Sequence, residues 1–169
     1  MATTPASTIN PAQAIQPVFK RVQQATEHDC AFACIAMITN KSLAEVIQVA
    51  TDKFGHPAHG PYWITDELIA KIFAHYSFVS TIYKEVETGI SGIADVAIVM
   101  VDYDADTELG RHVVFVRDKS NPKQLVEYMI DPAHWIDPSL HISNDFKNLV
   151  PAWFIGIHQM KSNAFPAKK

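Results

Sequence analysis

The sequence predicts an α+β fold, in which helices from the first half of the chain pack against a mostly antiparallel sheet from the second half. Capping residues followed by apolar positions at helical spacing occur repeatedly before residue 76. Runs with strand composition, separated by polar or Pro-containing connections, follow from residue 78 onward. The 169 residues, of which 48% are hydrophobic and 19% charged, are typical of one compact domain.

The first helix carries the most informative residue, Cys30. Asp29 is the expected N-cap, the apolar run 31–38 follows, and Asn40 is expected near the helix end. Cys30 then falls in the first turn, where unpaired amides and the positive end of the helix dipole favour a thiolate, so we expect a lowered pKa. Cys34, one turn later, is expected to be a small core residue.

Two further helices have clear start signals. Ser42 and Glu45 form a predicted capping box for a helix that runs to about residue 54 and stops at Gly55. Thr65 is the predicted N-cap of a third helix over residues 66–75, whose apolar positions recur at helical spacing. Strands are predicted at residues 78–83, 96–101, 113–116, 125–130 and 154–157.

His112 opens one of these strands, and Asp131 ends the next one, directly before Pro132. If residues 118–124 form the hairpin connection, position 112 pairs near position 130. His112 and Asp131 are then neighbours at the open end of the hairpin. A thiolate mechanism needs such a base and a group that orients it, so we expect Cys30 to attack, His112 to move its proton and Asp131 to hold the imidazole.

An amide donor lies just upstream of the cysteine. Gln24 stands six positions before Cys30, as QATEHDC, and is expected to donate to the oxyanion that forms when the sulfur attacks a carbonyl. The backbone amide of Cys30 is the expected second donor.

In the order of these segments, the chain resembles the papain-like peptidases that process bacteriocins and other peptides with double-glycine leaders. The resemblance rests on the glutamine before the DC pair, the ACIAM helix, the HVVFV strand and the IDPA turn, and it spans residues 18–157. It implies a papain-like fold and cysteine endopeptidase activity, with Cys30 as nucleophile, His112 as base, Asp131 as orienter and Gln24 in the oxyanion hole. Ala31 departs from the glycine usual after the nucleophile.

The resemblance also implies an extended peptide substrate with small residues such as glycine before the cut. Because related peptidases are typically fused to an ABC exporter, an exporter or another protein is a possible partner. The same residues could instead serve acyl transfer or side-chain deamidation. A catalytically silent leader-binding module on the same fold is a further alternative.

A zinc-stabilised interaction protein is the remaining alternative, with Cys30, Cys34, His56 and His59 as ligands. Neither the spacing of the two cysteines nor that of the two histidines is common for zinc, and we expect no metal or cofactor.

The aromatic segment before the third helix could wall a substrate groove, although a structural corner anchored by Trp63 is the preferred interpretation. The acidic loop at residues 102–110 could favour basic substrates or be a solvated turn.

Charge and hydropathy limit the partners and the cellular compartment that we expect for this chain. The net charge of −4 and the absence of a basic cluster argue against nucleic acid as a partner. No apolar run is long enough for a signal peptide or a membrane span, and the two cysteines indicate a reducing compartment, so a cytoplasmic location is expected. We expect residues 1–17 to form a flexible N-terminal tail, residues 18–158 the single domain and residues 159–169 a C-terminal tail.

Overall fold

The computed structural model describes residues 15–59 and 63–161. Within them the helices are α1 (Cys30–Thr39), α2 (Leu43–Phe54) and α3 (Asp66–His75), with a short 3-10 helix at Gly89–Gly92. The strands are β1 (Phe78–Ser80), β2 (Lys84–Glu85), β3 (Val96–Asp104), β4 (Leu109–Asp118), β5 (Val126–Ile130), β6 (Ile142–Ser143) and β7 (Trp153–Gln159).

The strands form one antiparallel sheet in the order β1-β7-β3-β4-β5-β6, and β2 pairs with β7 beyond the end of β1. Helix α1 packs against β4 and β3, while α2 and α3 pack against α1. The predicted α+β architecture, with N-terminal helices on a mostly antiparallel sheet, is therefore confirmed.

The predicted helix boundaries are confirmed. The Ser42 and Glu45 capping box is present at the start of α2, and Gly55 ends that helix in the left-handed conformation with φ of 68°. The Thr65 side chain accepts a hydrogen bond from the amide of Leu68 at the start of α3. These signals are local, because each cap satisfies backbone groups within three or four residues of itself.

Helix α1 begins at Cys30, as predicted, but Asp29 does not cap it with its side chain. Its carboxylate instead accepts a hydrogen bond from the amide of Thr26, at 3.1 Å. At the other end Asn40 adopts the left-handed conformation with φ of 55° and ends the helix, as predicted. The amides of the first turn of α1 therefore keep their hydrogen-bonding capacity.

Apolar side chains fill both faces of the sheet. On the helix side, the core includes Ile35, Phe73 and Val114. On the opposite side, Val113 and Phe115 belong to a second cluster, which is covered by other partly buried side chains, namely Val86, Ile90, Ala94, Phe146 and Leu149. Successive residues of β4 thus alternate between the two cores, as the pleat of a strand requires.

The register of β4 and β5 differs from the predicted one. Val114 pairs with Ile130 and Asp118 with Val126, which leaves a connection at residues 119–125. The expectation that position 112 pairs near position 130 is wrong by two residues. The connection lies one residue later in the chain than predicted, because Asn121-Pro122 marks a turn but, unlike a two-residue Asn-Gly loop, does not fix which flanking residues pair.

The predicted strand at residues 78–83 is two short strands. Between β1 and β2, the backbone of Thr81 donates to the carbonyl of Gly156, and the Thr81 hydroxyl accepts from the Gly156 amide, both at 2.9 Å. Tyr83 follows this interruption, directly before β2. Strand β6 and the 3-10 helix were not predicted, since both are too short to show a periodic pattern.

Of the two predicted tails, residues 1–14 and 162–169 lie outside the described residues. Val18, at the start of the predicted domain, donates its amide proton to the hydroxyl of Tyr128 at 2.8 Å.

Among the described residues no single helix is long and apolar enough to cross a membrane. Only α1 and α2 taken together, across a bend of 107°, reach the length and apolar composition of a span.

Candidate active site

Cys30 and His112 are in contact. The Sγ atom of Cys30 lies 3.3 Å from Nδ1 of His112, and the backbone amide of His112 donates to the same sulfur at 3.4 Å. Helix α1 supplies the cysteine and β4 supplies the histidine, which are 82 residues apart in sequence. Because Val114 faces the helices, alternation along β4 brings His112 to the same face.

The ionisation of Cys30 differs from the sequence expectation. Burial raises the pKa of its thiol, since a thiolate loses hydration when only 7% of the residue is exposed. The backbone amides of His112, Ala31 and Cys30 act in the opposite direction and lower the pKa, and so does the charge of Arg111. The expected helix effect is therefore present, but burial is the larger cause.

Burial acts on His112 as well. It lowers the pKa of this imidazole from 6.5 to about 4, because the charged ring would lose its hydration. Both shifts favour the neutral partner, so the resting pair at neutral pH is a thiol beside an uncharged imidazole. Such a histidine can accept the thiol proton when a substrate arrives.

The second ring nitrogen of His112 contacts Tyr83. The hydroxyl of Tyr83 lies 2.6 Å from Nε2 of His112, and the two rings are 6.1 Å apart at an angle of 34°. Burial raises the pKa of this hydroxyl, so the tyrosine is neutral near pH 7. Sequence reasoning assigned Tyr83 no functional role.

Asp131 does not hydrogen-bond to His112, contrary to the prediction. One oxygen of its carboxylate accepts from Nη1 of Arg111 at 2.5 Å, and the other accepts from the Ala133 amide at 2.9 Å. The physical reason is the pleat of the sheet. Continuing the β4–β5 register by one residue sets Asp131 opposite Val113, on the face that points away from the helices.

Gln24 is buried, with 3% of its surface exposed. Its backbone amide donates to the carbonyl of Pro132 at 2.9 Å, which ties the segment before α1 to the turn that follows β5. Its side-chain Nε2 donates to the carbonyl of Thr26 at 2.8 Å, whereas Oε1 is buried without a hydrogen-bond partner. The side-chain nitrogen carries two protons, and the bond to Thr26 uses one of them.

The ligands of the zinc alternative do not assemble. No group of three or more His, Cys, Asp or Glu side chains that could hold a metal ion occurs in residues 15–59 and 63–161. Cys34 is fully buried in the core, as predicted, and the ring of His56 packs edge-on against Phe32, with centroids 5.2 Å apart.

A cleft opens beside the Cys30 and His112 pair. Its cavity has a volume of about 240 Å³ and is walled mainly by apolar side chains, with carboxylates at Glu27 and Glu108. The apolar and aromatic residues of the wall are Trp63, Ile64, Tyr83, Met100 and Leu109.

Trp63 is 70% exposed, so the preferred interpretation of this residue as a buried structural corner is wrong. Residues 60–62, which precede it, lie outside the described residues.

The structure matches the peptidase domain of Streptococcus ComA, described as a bifunctional ABC transporter involved in a quorum-sensing pathway. The TM-score is 0.56 at 16% sequence identity, over 84% of this chain and 98% of the other. The fold is that of a papain-like peptidase domain. Searches of family models and of curated proteins with the sequence gave no match.

In this papain-like fold, the sequence identified both members of the contacting pair but missed two side chains around it. Arg111, the partner of Asp131, directly precedes His112 and so lies on the other face of β4. Alternation along HVVFV could have revealed this placement. Tyr83 had no comparable signal, because its hydroxyl meets a ring 29 residues away through pairing with β7.

Proposed function

We propose that this protein is a cysteine peptidase that cleaves an extended peptide lying across the cleft. The contact between Sγ of Cys30 and Nδ1 of His112, 3.3 Å apart at the mouth of a helix with uncapped amides, is the observation that carries the proposal. The likeness to a peptidase domain supports it through the fold. A nucleophile within reach of a base, beside an open cavity, is the arrangement that nucleophilic catalysis needs.

The chemistry begins with the neutral pair. His112 accepts the Cys30 proton on Nδ1 as the sulfur bonds to the carbonyl carbon of the scissile amide. The imidazolium then gives this proton to the leaving nitrogen, the C–N bond breaks, and an acyl-enzyme remains. A water molecule, deprotonated by His112, attacks the thioester and releases the acid product and the free thiol.

The negative oxygen of the tetrahedral intermediate needs donors. The backbone amide of Cys30 lies in the first turn of α1, where Asp29 leaves the amides uncapped. We assign the second donor to the remaining Nε2 proton of Gln24, which projects from the segment bound to the turn after β5. Asp131 then acts on the site through Arg111 and this turn rather than by contact with the imidazole.

The cleft favours certain peptides. Trp63, Ile64 and Leu109 provide an apolar surface for a hydrophobic side chain, and Glu27 with Glu108 favours a basic residue nearby. The double-glycine resemblance adds small residues directly before the cut. The ABC transporter that contains the matched domain makes an exporter a candidate partner here.

A mixed-peptide library, analysed by mass spectrometry before and after incubation, tests the proposal. The wild-type protein should produce new termini, whereas Cys30→Ala should reduce the cleavage rate by at least about 10³-fold while still binding the peptides. Cys34→Ala is the matched control, because Cys34 lies one turn away in the core and takes no part in the reaction.

Several results would contradict the proposal. Cleavage by Cys30→Ala at the wild-type rate would exclude this sulfur as the nucleophile. Binding of peptides by the wild-type protein without any cleavage would instead indicate a leader-binding module. Products that carry a transferred acyl group, or a glutamate in place of a glutamine, would identify acyl transfer or deamidation.

A further inference from the structure

We propose that Tyr83 is the positioning residue of His112, and that its neutral hydroxyl takes the place that an acidic or amide side chain holds in other thiol hydrolases. This inference rests on the proposed function, because it concerns the base of the same reaction. It is carried by the 2.6 Å contact between the Tyr83 hydroxyl and Nε2 of His112.

The proposed reaction requires one tautomer of His112. If Nδ1 is to accept the proton of Cys30, it must carry no proton of its own, so the ring proton resides on Nε2. The Tyr83 oxygen is then the acceptor of the Nε2–H bond. This bond fixes both the tautomer and the plane of the imidazole, which is the task of the third member of a catalytic triad.

The backbone around Tyr83 holds its hydroxyl in place. Two residues before it, Thr81 exchanges hydrogen bonds with Gly156, and directly after it Lys84 pairs with Phe154. Both anchors belong to β7, which pairs with β3, the strand that pairs with β4. The tyrosine and the histidine are therefore parts of one continuous hydrogen-bonded sheet.

The carboxylate that sequence reasoning placed in this role is engaged elsewhere. Asp131 lies on the far face of β4 and accepts hydrogen bonds from Arg111 and the Ala133 amide. To reach Nε2 of His112 it would have to leave a buried ion pair and displace the Tyr83 hydroxyl. A neutral partner also matches the uncharged resting state of His112, since a carboxylate there would stabilise the imidazolium.

Long-range ¹H–¹⁵N NMR of the histidine rings tests this inference without any substrate. Wild-type His112 should show the Nε2–H tautomer. Tyr83→Phe removes the acceptor but keeps the ring, so we expect a mixture of tautomers in this variant. Asp131→Asn should leave the wild-type tautomer in place, and Tyr76→Phe, which loses a hydroxyl that does not line the cleft, is the matched control.

Kinetics provide the second readout. Tyr83→Phe should lower kcat by about tenfold to a hundredfold with KM within about twofold of the wild-type value, because the ring of Phe preserves the wall of the cleft. An Nδ1–H tautomer in the wild-type protein would overturn the inference, as would an unchanged tautomer in Tyr83→Phe. If no peptide is cleaved by the wild-type protein, the proposed function fails, while the NMR result still decides the role of Tyr83.

Discussion

Arg111 and Asp131 form an ion pair on the face of the sheet opposite the candidate active site, with 2.5 Å between Nη1 of Arg111 and Oδ2 of Asp131. Their side chains are 17% and 6% exposed. Arg111 also binds Asp102, and Arg21 donates to the backbone carbonyl of Asp131 at 2.8 Å. The pair therefore joins the ends of β3, β4 and β5 to the segment that carries Gln24.

Removing one member of this pair should destabilise the fold. Asp131→Ala leaves the Arg111 charge partly buried beside Asp102 alone, and we expect the free energy of unfolding to fall by about 3–5 kcal/mol. Urea denaturation followed by circular dichroism measures this change. Glu67→Gln breaks an exposed ion pair with Lys71 and should leave the urea midpoint unchanged. Equal behaviour of the two variants would mean that the Arg111 pair contributes little.

Gln24→Ala should lower kcat by about 10²-fold with a smaller effect on KM, because the second Nε2 proton of Gln24 is assigned to the oxyanion, which forms only in the transition state. The fold should persist, since the backbone bond from Gln24 to Pro132 does not involve the side chain. Gln23→Ala is the matched control, because this neighbouring glutamine is exposed. An unchanged kcat in Gln24→Ala would show that this residue does not belong to the oxyanion hole.

His112 should make stability depend on pH. Its pKa is about 4 in the folded protein against an ordinary 6.5, so between these values the unfolded chain binds a proton that the folded protein does not. The free energy of unfolding therefore falls as the pH falls through this window, by roughly 3 kcal/mol at about 1.4 kcal/mol for each pKa unit.

Urea titrations at pH 7 and at pH 4.5 measure this loss. His112→Gln should lose less stability than the wild-type protein over this interval, because glutamine does not titrate. His158→Gln, at an exposed position of β7, should follow the wild-type curve. Parallel curves for the wild-type protein and His112→Gln would show that the imidazole is hydrated in the folded state.

Gly110→Ala should distort the wall of the cleft. A Cβ atom at this position would lie 2.6 Å from Cγ of Met100 and 2.8 Å from the carbonyl oxygen of Val101. Overpacking of this kind costs about 1–3 kcal/mol, and the shift of β4 should also lower kcat, since His112 follows two residues later. Thermal denaturation and peptide cleavage measure both effects.

A second substitution sharpens this test. Met100→Ala in the Gly110→Ala background removes the side-chain clash but not the backbone one, so it should restore stability only in part. Wild-type stability in Gly110→Ala alone would contradict the close approach of β3 and β4 at this point.

The helices could be predicted because their signals are local. Ser42, Glu45 and Thr65 each satisfy amides within their own first turn, and Gly55 ends α2 in the left-handed conformation, which glycine adopts readily. The pairing of Cys30 with His112 could not be predicted from such local signals. It followed from the need of a thiolate for a base and from a resemblance in the order of four segments, and the structure brings the two side chains into contact across 82 residues.

The surroundings of that pair could be predicted only in part. Asp131 was assigned by its nearness along the hairpin, although strand alternation in HVVFV sends it to the face of Val113. The direction of the Cys30 pKa shift depends on burial by the whole fold, which no local pattern reports. The exposure of Trp63 was missed for the same reason.

Helix α1 is enclosed by the core from its first residue to Ile38. In the proposed reaction, a sulfur held on such a helix has almost no freedom to move toward the carbonyl that it attacks, so its position is set when the chain folds. Under the proposed function, a change of peptide preference is expected from substitutions at the rim of the cleft, around Trp63 and Leu109, because these exposed side chains can change without disturbing the interior. The position of the proposed nucleophile is fixed by folding, whereas the proposed peptide preference depends on side chains at the surface.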